Sequence, residues 1–154
     1  MKLTSLIAGH IRDVYEGDNW TAVTIAETIG DLTFEEAIAV TPASANSIAA
    51  ILYHVKFYND VVKQRLGGIN PYINDANGFD MAELKNQDDW KKLKEDARQS
   101  FINLATATEN FPEERLNETS PTGTSSYYYN LHGIAEHAHY HLGQMVLLKK
   151  LIRK

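Results

Sequence analysis

An all-α fold is predicted by three features of the sequence. Apolar residues recur at spacings of three and four, no alternating strand-like run of convincing length occurs, and turn signals are not regularly repeated. The breaks leave four long helical segments and two long connections, which is the pattern of one four-helix-bundle domain over residues 1–154.

Leu3, Leu6, Ile7, His10 and Val14 mark one face of a first helix over about residues 2–16, stopped by Gly17, Asp18 and Asn19. Residues 20–39 read as short helical pieces, the second opened by Thr33 with Glu36 three positions on, the spacing of a capping box. After Pro42, a second long helix runs from about Ser44 to Leu66. Its stripe is Ile48, Ile51, Leu52, Val55, Tyr58, Val62 and Leu66, and Gly67 and Gly68 end it. From Gly67 to about Asn86 the chain turns to Gly, Asn, Asp and Pro, a connection long enough to suggest a functional loop roofing a pocket. The third long helix carries Trp90, Leu93, Ala97, Phe101, Leu104 and Thr108 on its inner face, and Lys91, Lys92, Glu95 and Asp96 form a solvated one. Pro112 and the polar stretch to Ser126 form the second connection, and the fourth long helix continues from Ser126 almost to Lys154.

Composition removes several function classes. With no cysteine, disulfide scaffolds, Cys-based metal sites and Cys nucleophiles are excluded, and thiol chemistry requires a thiol from outside. Fifteen Lys and Arg face twenty Asp and Glu, with no basic run to follow a phosphate backbone, so nucleic acid is not expected as a partner. No stretch approaches the roughly 18 apolar residues of a membrane span. Residues 1–11 are too weakly apolar for a signal peptide, so a cytoplasmic location is expected.

Six histidines supply the unusual chemistry, four of them at His132, His137, His139 and His141. At about 100° per residue, His137 and His141 lie about 40° apart, inside the stripe of Ile134, Ala138, Met145, Leu148 and Ile152. Two inward imidazoles suit a shared metal ion, and a pair of hydrogen-bonded core histidines is the alternative. His132 and His139 point away from that pair. A third ligand could come from His54 on the second long helix or from His10 on the first, and spacing does not choose between them. Ala138 stands where a metalloprotease HExxH motif needs glutamate. The inward carboxylates of a di-iron bundle, a phosphate-binding Gly loop and a serine elbow are also missing.

The fourth helix contains His137, Tyr140, His141, Gly143 and Gln144. Together with Asn19-Trp20, Ser47-Ile48 leading to His54, and Trp90, it resembles the DinB-like (YfiT-like, damage-inducible) family of four-helix-bundle metalloproteins over most of the chain. The resemblance implies one divalent transition metal per chain held by His54, His137 and His141, with zinc or nickel first and iron or manganese as other choices. His10 then becomes a core or pocket-lining residue. Three imidazoles leave a coordination position open.

The resemblance further implies a metal-dependent thiol S-transferase that joins an external low-molecular-weight thiol to a small electrophile, in a homodimer. A non-enzymatic stress-linked metal-binding module is the alternative, and vestigial histidines on a surviving fold a third. Gln144 is read as helix packing ahead of an outer-shell role, and Tyr140 as either a pocket donor or a packing residue. Tyr127, Tyr128 and Tyr129 are expected in packing or a dimer contact, Glu136 in solvent, and Trp20 and Trp90 as core anchors.

Overall fold

A computed structural model describes all 154 residues as helices and connections, with no β-strand. In chain order these are α1 (Leu3–Glu16), α2 (Ile25–Gly30), α3 (Phe34–Ile38), α4 (Ile48–Leu66), α5 (Gln87–Glu109) and α6 (Tyr127–Ile152), with a 3₁₀ turn at Glu113–Arg115. The long helices pack in a ring, α4 on α5, α5 on α1, α1 on α6 and α6 on α4, while α2 and α3 lie across the ring's members. A continuous core of 29 buried residues lies between them. No helix is long and apolar enough to cross a membrane.

Local chemistry sets the helix starts. Thr24, Thr33, Ser47, Asn86 and Ser126 each accept a backbone N–H of the first turn, which satisfies donors a helix otherwise leaves open. Thr33 and Glu36 form the expected capping box, with both reciprocal bonds made. The second long helix starts at Ile48 rather than near Ser44, because the Ser44 hydroxyl is bonded to the Asn46 backbone in a turn of its own. Beyond the core, Arg153 pairs with Asp31 and Glu36 and Lys149 with Asp31, tying the end of α6 to α2 and α3.

All six stripe residues expected on the third long helix are buried on α5. The expected stripe of the first helix is wrong by part of a turn. The buried face of α1 is Thr4, Ala8, Ile11, Val14 and Tyr15, whereas Leu3, Leu6 and His10 are exposed. Leu3, Leu6 and Ile7 instead line a groove of about 440 Å³ between α1 and α6.

Trp20 is not a core anchor. It is 102% exposed against 0% for Trp90, whose indole N–H donates to the Leu32 carbonyl. The turn around Trp20 is held instead by Asn19, whose amide donates to the Asp13 and Val23 carbonyls while its oxygen accepts from Thr21.

Candidate metal centre

α4 and α6 bring His54, His137 and His141 together, with one ring nitrogen from each within 4.8 Å of the other two. His54 lies among the buried residues of α4, seven residues into a helix whose start Ser47 fixes. His137 and His141 stand one turn apart on the face of α6 that meets α4, with His141 buried and His137 half-buried. The His137 Nε2 is 3.0 Å from the His54 Nε2 and 3.1 Å from the His141 Nε2.

The tautomers of two rings follow from their outer partners. The His54 Nδ1 lies 2.9 Å from the Asn77 main-chain carbonyl oxygen, and the His141 Nδ1 lies 2.7 Å from the Gln144 side-chain oxygen. Each oxygen can only accept, so each Nδ1 carries the proton and each Nε2 presents a lone pair to the cluster. The Gln144 amide is itself oriented, because its nitrogen donates to the Tyr140 hydroxyl at 3.1 Å. The His137 Nδ1 is buried with no partner, so that ring's polar anchorage lies at Nε2, in the middle of the cluster.

One proton on the His137 Nε2 serves only one neighbour, leaving the other neighbour's lone pair without a donor. A cation satisfies all three nitrogens. Tetrahedral zinc with Zn–N bonds of about 2.0–2.1 Å sets neighbouring donor nitrogens about 3.3 Å apart; the two separations from His137, 3.0 and 3.1 Å, lie within a few tenths of an ångström of that, and the His54–His141 pair lies within 4.8 Å. The three nitrogens are thus close enough together to hold a metal ion.

The electrostatics point the same way. Burial, then the neighbouring His141, holds the His54 imidazole down to about 4 against an ordinary 6.5, with the Asn77 carbonyl opposing. Burial and the other two rings hold His137 down to about 3. Burial also lowers His141, against the bond to Gln144. All three rings are thus neutral and ready to donate at neutral pH.

The long connection after α4 packs directly on the site. The Phe79 ring stacks on His54 with centroids 4.0 Å apart and planes 10° from parallel, and Tyr58 packs edge-to-face with His54 and His137. The Tyr58 hydroxyl donates to the Asn77 side chain, securing the residue whose carbonyl fixes His54. Between Asn77 and Phe79, Gly78 sits at φ +76°, and a Cβ there would lie 2.5 Å from the Phe57 ring. Only glycine serves this turn.

Of the two candidates for third ligand, the structure selects His54. His10 is exposed on α1 and packs against His139 on the far side of α6, so it is pocket-lining and not core. Packing as the first reading of Gln144 is also corrected, since the side chain fixes His141. Its position seven residues after His137, two helical turns, was the available signal. Tyr140 is exposed, packs its ring edge-to-face against His141 and accepts from Gln144 through its hydroxyl, and Glu136 is in solvent as expected. Asn77 was missed, because a main-chain carbonyl leaves no mark in residue type.

The chain matches no protein-family model, no curated protein and no solved structure.

Proposed function

We propose that this protein is a four-helix-bundle metalloprotein of the DinB-like type. In this reading His54, His137 and His141 hold one divalent transition metal, with zinc or nickel the first choice, and the site serves as a metal-dependent thiol S-transferase. The observation that carries it is the convergence of three Nε2 atoms, two of them stripped of protons by carbonyl acceptors on Nδ1.

When bound, the ion would lower the pKa of an external low-molecular-weight thiol and supply the thiolate that a cysteine-free chain lacks. The new S–C bond forms on a small electrophile as its leaving group departs with the bonding pair, and the thiol proton passes to solvent. The chain's own part is to fix the ligands through Asn77 and Gln144. Phe79 and Tyr58 wall the site with aromatic surface that limits water, and Tyr140 lies against His141 on the exposed side.

The close stacking of Phe79 on His54 also favours a second reading, a metal-binding module without turnover. Metal-loaded protein incubated with a panel of low-molecular-weight thiols and a chromogenic electrophile separates the two. Transfer that needs both the metal and His141, and is lost in His141→Ala, supports the enzyme. Full metal occupancy with no transfer for any thiol supports the module.

A further inference from the structure

The α1/α6 groove contains a second group of metal-ligating side chains, His10, His132, Glu136 and His139, that the triad does not use. His139 lies two residues from both His137 and His141, about 160° around the helix from each, so it faces away from the triad across α6. Its ring centroid lies 5.4 Å from that of His10, with the planes at 66°.

Two imidazoles sharing one ion through bonds of about 2.0–2.1 Å place each ring centroid about 3.2 Å from it, hence about 5.2 Å apart at a tetrahedral angle. The His10–His139 separation matches this within a few tenths of an ångström. The His139 Nδ1 donates to the Ala135 carbonyl at 3.0 Å, so its Nε2 is left as a lone pair. His132 and Glu136, one turn apart in the same groove, are occupied with each other at 3.4 Å. The floor is apolar, with Leu131 and Ala135 buried beneath.

We propose that His10 and His139 form a second divalent-cation site at the α1/α6 groove, weaker than the triad and independent of it, with water completing the coordination. Imidazole donors select borderline ions such as zinc, nickel and copper over magnesium and calcium. With only two histidines fixed, and His10 exposed, this is a site for a labile ion.

Calorimetric titration of tag-free, metal-stripped chain with Zn²⁺ tests the proposal. Wild type is expected to take two ions, the second at least ten-fold more weakly. His10→Ala/His139→Ala is expected to lose the weaker event alone, and His137→Ala to keep it. His10→Ala by itself, at an exposed position, should weaken the second event at least ten-fold with the circular dichroism spectrum unchanged. Equal stoichiometry in wild type and the double variant, or loss of the weaker event in His137→Ala, overturns it. A single event in wild type that the double variant abolishes would uphold the groove site and refute the triad.

Discussion

Replacing Gln144 by Leu removes the acceptor that holds the His141 Nδ1 proton at 2.7 Å and keeps a side chain of similar size on α6. Two consequences follow. The buried Nδ1–H loses its partner, which costs about 1–3 kcal/mol in the folded chain whether or not metal is present. The His141 ring is also freed to carry its proton on Nε2, where it would block the ion, and to swing from the direction that brings Nε2 within 3.1 Å of His137.

Removing such outer partners weakens metal binding by about 10–100-fold, equivalent to about 1.4–2.7 kcal/mol. The assay is competition for Zn²⁺ against a chromophoric chelator, run beside thermal unfolding of the metal-free chain. Gln144→Leu should show the affinity loss beyond its stability loss, and Gln144→Glu, which restores an acceptor, should recover most of it. An affinity within two-fold of wild type for Gln144→Leu would refute the assignment of the tautomer and with it the lone-pair argument for the site.

Three further outcomes are expected. Because the folded-state values of His54 and His137 lie near 4 and 3 while the unfolded chain titrates near 6.5, the unfolded state alone gains protons as pH falls below 6.5. Metal-free protein should therefore lose thermal stability between pH 6.5 and pH 4, and a flat Tm across that window would contradict the burial of these rings. Gly78→Ala, strained at φ +76° and driven into Phe57, should destabilise the loop and weaken Zn²⁺ binding about ten-fold or more, read by the same chelator competition. Trp20→Phe should change stability by less than about 0.5 kcal/mol, whereas Trp90→Ala should cost about 3–5 kcal/mol in denaturant unfolding; comparable losses would undo the placement of the two indoles.

The helices were legible because burial and periodicity agree wherever a helix has one apolar face. On α5, the sequence from Trp90 to Thr108 contains few apolar residues outside its stripe, so the pattern names the core directly. On α1 both faces are apolar, and the bulkier Leu3, Leu6 and Ile7 outweigh Thr4 and Ala8 in the pattern, although the buried face is Thr4, Ala8, Ile11, Val14 and Tyr15. Trp20 misled for a related reason. Residue size suggests burial, but the turn geometry around Asn19 sets its direction.

At the site, the i, i+4 pair His137 and His141 could be read from the helical wheel, while choosing His54 over His10 required knowing which helices face each other. The loop contributions were hidden more deeply. Asn77 acts through its main chain, 23 residues from His54, and Phe79 through a stacking contact that no spacing rule connects to α4.

The most direct test of the central claim is metal content by mass spectrometry on tag-free protein after saturation with zinc or nickel and exhaustive dialysis, comparing wild type with His137→Ala. About one tightly retained ion per chain in wild type, absent from the variant, is the expected result for a site built on three converging Nε2 atoms. No retained ion in either protein would mean that His54, His137 and His141 are hydrogen-bonded core histidines, and the proposed function would fall with the site.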